Sequence, residues 1–199
     1  AVRLGEVEVV MPWEQMDLPE MSGRLMLVAG YLARRIYGWH IVDLNCGTAP
    51  LLGFLPMGND PEWGWYYGND TNKDFIDKCR MKGYSRTTFE QVPDTDVLGR
   101  LKEHNIDTDV LVCLGYGARY HPLESAVVDD VIVEIAVEHS PRNIVLGAWM
   151  PITMLARCGF NGLLDRLEKA GYTVDSDWSI ESNLPTTPYS RRRVVMLKL

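Results

Sequence analysis

The sequence predicts a three-layer α/β domain, with helices on both faces of a mostly parallel seven-stranded sheet that ends in an antiparallel strand pair. Three observations predict it. Apolar, β-branched runs alternate with segments whose apolar residues recur at every third and fourth position, the pattern of strands joined by helical crossovers. The stretch Ile41–Pro50, IVDLNCGTAP, runs apolar into an acid and then turns through small residues into a further apolar segment, as a buried strand feeding a tight turn and a helix would. Two strand-like segments close the chain, Tyr172–Ile180 and Arg193–Leu199, with the Pro-rich SNLPTTPYS between them and no helical pattern. They are expected to pair antiparallel.

Taken in order, residues 1–22 form an N-terminal arm or lid with a short extended piece, and residues 23–199 form the α/β core. In Met21–Tyr37, Leu25, Val28, Ala29, Leu32, Ala33 and Ile36 line one face of a helix, with Ser22 as N-cap and Gly38 as stop. The strand Trp39–Leu44 follows. After Pro50 a short helix through Leu51, Leu52, Phe54 and Leu55 is broken by Pro56 and Gly58. Trp65-Tyr66-Tyr67 begins a second strand ending at Asp70, and Thr71–Met81 a helix. Ser85–Phe89 is a third strand, Val97–His104 a helix, and Thr108–Leu114 a fourth strand, apolar enough to be covered on both faces. A long helix over Leu123–Glu138, a fifth strand at Asn143–Ala148 and a helix at Gly162–Ala170 complete five strand–helix units. No repeat, linker or low-complexity block divides the 199 residues, so a single domain is expected.

A net charge of −7 and a pI near 5.1 count against non-specific nucleic-acid binding and against an anionic membrane surface. The basic run Arg191–Arg193 is the local exception. It reads first as a solvated turn or strand edge, with a phosphate or carboxylate site as the sharper alternative. The cysteines Cys46, Cys79, Cys113 and Cys158 form no C-x-x-C pair, which points away from metal or redox motifs and toward reduced, mostly buried thiols in a cytoplasmic protein. Residues 1–10 alternate and carry acids rather than a secretory leader pattern, and no apolar run reaches membrane-spanning length.

Chemistry concentrates where the strands end. In an open parallel sheet a ligand binds beyond the carboxyl ends of the strands, at the switch point. Adjacent first and second strands put Asp43 and Asp70 on one rim, flanking the Asn45–Pro50 turn, whose amides are expected to stand free at a helix N-terminus. A carboxylate at Asp70 can accept both hydroxyls of a ribose. Each acid also has the plainer reading of a helix cap or turn carboxylate.

The strand ending acid–x–small–Cys–Gly–Thr–small, with Asp70 closing the next strand and an antiparallel pair at the end, resembles the class I S-adenosylmethionine-dependent methyltransferases. The resemblance covers the chain from about Met21 and implies a Rossmann-like sandwich. It also implies S-adenosyl-L-methionine as cofactor and S-adenosyl-L-homocysteine as product. By that resemblance Asp43, Asn45, Cys46 and Gly47 hold the methionine end and Asp70 with Thr71 the ribose. Glu90 and Gln91 edge the adenine, and Leu114, Gly115 and Tyr116 form the reactive face. The family's D-x-G-x-G-x-G reads here Asp43, Asn45, Gly47, Ala49, with only the central glycine kept. Asn tolerates positive φ and Ala is the next-smallest side chain, so both replacements are physically conservative.

Methyl transfer from a sulfonium depends mainly on positioning, with a base needed only where the acceptor sheds a proton. Tyr116 and His121 are the candidate catalytic groups, with Glu124 a further candidate base, while Trp149 and Trp13 could supply aromatic walls that suit a sulfonium. The D/N-P-P-Y signature of nucleic-acid amino-methylating enzymes is absent. The expected partner is therefore a small molecule or an exposed protein side chain, with no nucleic acid, no membrane and no metal. Homodimer formation stays open. Two alternatives stand beside this reading: a catalytically silent interaction module, and an aminopropyl-type transferase on the same fold. A nicotinamide enzyme would want G-x-G-x-x-G at this turn, and residues 45–50 miss two of its three glycines.

Overall fold

The computed structural model describes residues 2–4, 7–9, 19–33, 40–55, 64–116, 122–151, 160–182 and 190–199. Strands β1 (Val2–Leu4) and β2 (Val7–Val9) pair antiparallel as a small separate sheet. Helix α1 spans Pro19–Ala33. It begins earlier than its apolar stripe suggested, because proline suits the first turn of a helix, where its missing N–H is not needed. Ser22 therefore lies inside the helix rather than capping it. Leu25, Val28, Ala29 and Leu32 are buried as the periodicity predicts, and Ala33 is exposed; Ile36 and Gly38 lie outside the described residues.

The core sheet is built from β3 (Ile41–Asp43), β4 (Tyr66–Asn69), β5 (Thr87–Glu90), β6 (Val110–Tyr116), β7 (Asn143–Pro151), β8 (Thr173–Ser182) and β9 (Ser190–Lys198). Its helices are α2 (Lys73–Met81), α3 (Asp94–Glu103), α4 (Pro122–His139) and α5 (Phe160–Lys169). Strand order is β5-β4-β3-β6-β7-β9-β8, with the first five parallel and β9 inserted antiparallel between β7 and β8. The chain moves outward from β3 in one direction through β4 and β5, then crosses back to β6. The switch point is thus the β3–β6 boundary, beside the turn that follows Asp43.

Side-chain alternation divides the core between the two faces of the sheet. Ile41, Tyr66, Val110, Val112, Val145, Val194 and Met196 pack under α1 and α2 on one side. Val42, Leu44, Tyr67, Leu111, Cys113, Ile144, Leu146, Val195 and Leu197 face α3, α4 and α5 on the other. Residues such as Val110, Leu111 and Val145 are wholly buried, each worth about 1.5–3 kcal/mol of transfer free energy.

Two local boundaries differ from the sequence reading for identifiable reasons. Helix α2 starts after Asn72, whose side-chain oxygen accepts from the amides of Asp74 (2.9 Å) and Phe75 (3.4 Å); of the Asp70-Thr-Asn run, Asn72 is the cap. Helix α3 starts at Asp94, directly after Pro93, because two acids in its first turn favour the helix N-terminus even without an apolar residue there. Arg193 of the basic run forms a multidentate pair with Asp177 across β8 and β9 (2.6 Å at the shortest contact) and lies 5.4 Å from the Phe160 ring. Because β9 lies inside the sheet between β7 and β8, Arg193 is held by a cross-strand ion pair, neither at a turn nor at a strand edge. The side chains of Arg191 and Arg192 lie outside the described set. Cys46, Cys79 and Cys113 are buried thiols, and no described helix is long and apolar enough to cross a membrane.

Candidate functional site

β3 is three residues long and wholly flanked, in register with β4 at Asp43↔Gly68 and with β6 at Asp43↔Val112. Beyond Asp43 the ladder continues for one bond on each side: the Leu44 amide donates to the Val112 carbonyl (2.8 Å) and the Cys46 amide to that of Asn69 (2.9 Å). The chain then turns away sharply. Asn45, Gly47 and Ala49 adopt φ of 52°, 57° and 49°. All three are in the left-handed region, which an L-residue normally avoids at a penalty of about 1–2 kcal/mol. The alternate positions where the resembled motif places glycines therefore keep the glycine conformation here, although two of them carry side chains.

Polar contacts hold this turn from three directions. The Gly47 amide donates to Asp70 Oδ2 (3.1 Å), and Asp70 Oδ1 accepts the Asn72 amide (2.8 Å). The Asn45 side-chain amide donates to Asp94 Oδ2 (2.7 Å), while Asp94 Oδ1 accepts from Asn69 Nδ2 (2.9 Å). From α2 and the residue that follows it, Lys82 Nζ reaches the Thr48 carbonyl (2.6 Å) and the Cys79 thiol the Gly47 carbonyl (3.3 Å). Two expectations change accordingly. The turn leads into a five-residue 3-10 segment, Pro50–Phe54, with no α-helix N-terminus behind it, and the Gly47 amide is already satisfied by Asp70.

Asp43 forms the floor. It is 4% exposed and accepts the hydroxyl of fully buried Tyr66. Burial and the neighbouring Asp43 charge hold the Tyr66 phenol well above its ordinary pKa, so it stays a donor to that carboxylate throughout the physiological range. Cys46 lies flat on β4: a Cβ at Gly68 would sit 2.9 Å from its Sγ and 3.2 Å from its Cβ. Only glycine leaves that room.

The β5 rim carries Glu90 and Gln91. Glu90 accepts the Tyr67 hydroxyl (2.7 Å) and sits 3.0 Å from His104 Nε2. Partial burial alone would raise its pKa, but these hydrogen bonds and the His104 charge pull it below the ordinary carboxylate value. Gln91 Nε2 donates to the Thr71 carbonyl (3.3 Å) and the Asp70 amide to the Glu90 carbonyl (3.2 Å), tying the ends of β4 and β5 into one edge. On the opposite side, β6 shifts register against β7 between Cys113 and Tyr116. There a Cβ on Gly147 would meet the Leu114 backbone at 3.0 Å. The irregularity falls at Leu114–Gly115, the place a bulge would re-aim the strand end.

The structure thus gathers Asp43, Asn45, Cys46, Gly47, Asp70, Thr71, Glu90, Gln91 and Leu114 at the carboxyl rim beside the switch point. The backbones of Gly115 and Tyr116 lie at the end of β6, but the Tyr116 side chain, and those of Glu124 and Trp149, are outside the described set. His121 and Trp13 lie outside the described residues altogether. Sequence reasoning missed Asn69, Cys79, Lys82 and Asp94. Of these only Asp94 carried a signal, an acid just after a proline at a helix start; the others are brought in by tertiary folding.

No protein-family model and no curated protein sequence matches the chain. Solved structures do match. The N-methyltransferase NodS from Bradyrhizobium japonicum WM9, in complex with S-adenosyl-L-homocysteine, superposes with a TM-score of 0.64 at 14% identity, covering 97% of this chain and 94% of that one. A methyltransferase from Geobacter sulfurreducens, also with S-adenosyl-L-homocysteine, gives 0.57 at 16% identity over 87% and 90%. The [4+2]-cyclase SpnF gives 0.60 at 12% over 100% and 87%. The fold is the one shared by S-adenosylmethionine-dependent methyltransferases.

Proposed function

We propose that this chain is an S-adenosylmethionine-dependent methyltransferase, acting on a small molecule or an exposed protein side chain in a cytoplasmic setting. One observation carries the reading. The left-handed backbone at Asn45, Gly47 and Ala49 preserves, residue by residue, the turn that the motif's glycines exist to allow, and it does so next to Asp70. Arg86, Asn105 and Ser140 share that conformation elsewhere in the chain; what supports the reading at Asn45, Gly47 and Ala49 is its recurrence at every second position, directly after Asp43 and against Asp70.

The residues present suit the ligand. Asp70 is oriented by two backbone amides, and a carboxylate has about four acceptor directions, so it can take ribose hydroxyls without giving up its hold on the turn. The turn supplies small residues against which a methionine moiety can pack, with Asp43 as acidic floor. Glu90 and Gln91 stand on the β5 edge, where they would border the adenine. The cofactor, when bound, supplies an electrophilic methyl on a sulfonium. The chain's part is to fix the nucleoside against the turn, keep Leu114–Tyr116 at the open side, and bring an acceptor there; Tyr116 and His121 are the proposed groups for any proton the acceptor loses. The acidic net charge supports an acceptor other than nucleic acid.

Titration of the purified protein with S-adenosyl-L-homocysteine by calorimetry tests this. Micromolar affinity is expected, weakened at least about a hundredfold in Asp70→Ala, since hydrogen bonds to a charged group contribute about 1.5–3 kcal/mol each. No heat of binding to a folded wild-type protein would overturn the reading and leave the silent-module alternative. Because an aminopropyl-type transferase would use the same fold, the nucleoside product must also be identified. S-adenosyl-L-homocysteine supports methyl transfer, and methylthioadenosine would redirect the assignment to aminopropyl chemistry.

A further inference from the structure

We propose that Cys46 and Cys79 form a redox-sensitive thiol pair that closes to a disulfide beneath the turn at Gly47 and weakens nucleoside binding when it does. The consequence for binding rests on the function proposed above, whereas the thiol chemistry does not.

Both sulfurs address one atom. Cys79 Sγ lies 3.3 Å and Cys46 Sγ 3.6 Å from the Gly47 carbonyl oxygen, which makes the two sulfurs neighbours around one acceptor. They come from separate elements, the turn after β3 and the last turn of α2, and meet only through the fold. Gly68 is what permits it: Cys46 crosses β4 where any side chain would collide with its sulfur, and so comes to face α2.

The two thiols are also chemically unequal. The neighbouring Cys46 thiol, with help from Lys82, draws the Cys79 thiol below its ordinary pKa despite burial. The neighbouring Cys79 thiol, burial and the Asp43 charge push that of Cys46 well above it. With the Lys82 ammonium held at the Thr48 carbonyl on its side of the turn, Cys79 is the attacking sulfur and Cys46 the resolving one. The oxidant is a hydroperoxide, small enough for sites that are 1% and 4% exposed. The Cys79 thiolate attacks one peroxide oxygen; the O–O bond breaks, giving a sulfenic acid and, for hydrogen peroxide, water. The Cys46 sulfur then displaces the sulfenic hydroxyl, which leaves as a second water with the Cys46 proton. Two thiols and one hydrogen peroxide yield one disulfide and two waters, with sulfur oxidised and peroxide oxygen reduced.

Closure removes both S–H donors from the Gly47 carbonyl and draws the sulfurs to about 2.05 Å. The turn is pulled toward α2, and the Gly47 amide moves relative to Asp70. The oxidised turn then no longer matches the nucleoside.

The full chain, reduced and then treated with hydrogen peroxide, is alkylated, digested without reductant and examined by mass spectrometry, and S-adenosyl-L-homocysteine affinity is measured before oxidation, after it and after dithiothreitol. The expected result is a Cys46–Cys79 linked peptide and affinity weaker by about tenfold, or ~1.4 kcal/mol, both reversed by dithiothreitol. Cys46→Ser and Cys79→Ser should each abolish the link and the affinity change. The wild-type mass result stands even if a variant folds poorly. Unaltered thiols, a link through another cysteine, oxidation of Cys79 alone, or a Cys46–Cys79 link with unchanged affinity would each overturn the proposal. Failure of the reduced protein to bind overturns the functional reading and with it the ligand effect, while the linked peptide still decides the thiol pair.

Discussion

Replacing Asn45 separates two explanations for its presence at a glycine position. One holds that asparagine is only tolerated there, as the side chain least averse to φ of 52°. The other holds that its amide is needed, because it donates at 2.7 Å to Asp94, a carboxylate only 2% exposed. A hydrogen bond to a charged group contributes about 1.5–3 kcal/mol net. Relief of left-handed strain returns about 1 kcal/mol at most, since asparagine already visits that region. Asn45→Gly, which restores the motif, should therefore destabilise the protein by about 1–2 kcal/mol. Asn45→Ala loses the bond and adds about 1 kcal/mol of strain, because alanine lacks asparagine's tolerance of that region, so it should be worse, at about 2.5–4 kcal/mol. In a chain of this size that is about 2–8 °C in Tm for the glycine variant. Urea denaturation followed by circular dichroism gives the free energies, and a double-mutant cycle with Asp94→Ala should return a coupling above about 1 kcal/mol. An Asn45→Gly variant as stable as wild type, with no coupling to Asp94, would refute the reasoning and reduce Asn45 to a substitute glycine.

Two further outcomes follow from the packing and the buried phenols. Gly68→Ala should cost about 1–3 kcal/mol from overpacking, because its methyl would meet Cys46 Sγ at 2.9 Å and Phe89 at 3.1 Å; the same change in a Cys46→Ala background should be milder, as chemical denaturation would show. Burial pushes the Tyr172 phenol up to about 12, and its hydroxyl donates to the Pro141 carbonyl at 2.9 Å. The folded state keeps that proton where the unfolded chain, titrating near 10, has lost it. Tyr172 thus adds stability that is complete below pH 10 and disappears as pH rises through 12. Tyr172→Phe should remove about 1.4 kcal/mol per pH unit from the alkaline slope between those values, read by urea titrations at stepped pH. An unchanged slope would contradict the assignment.

Much of this architecture was legible because its signals are local. Strands with β-branched cores, helices with three–four periodicity and the small-residue turn after Asp43 all announce themselves within ten or fifteen residues. Asn72 as the cap of α2 and Asp94 as the start of α3 were misjudged by a few residues, since there a hydrogen-bonding side chain or a proline outweighs the apolar stripe. The position of β9 between β7 and β8 had no local signal, because insertion order depends on which edge each strand meets last.

The sequence by itself determined the strand–helix alternation and the acid–turn–acid rim of Asp43, the Asn45–Ala49 turn and Asp70, because these rest on spacing and residue type. Only the tertiary structure decided that Asp43 is a buried floor under Tyr66, that Asp70 holds the Gly47 amide, and that Asp94, Lys82 and Cys79 brace the turn. Each of those contacts joins residues more than twenty positions apart. Which donor meets which acceptor across such distances is settled by the packing of β4, α2 and α3 around the turn, and no local pattern encodes it.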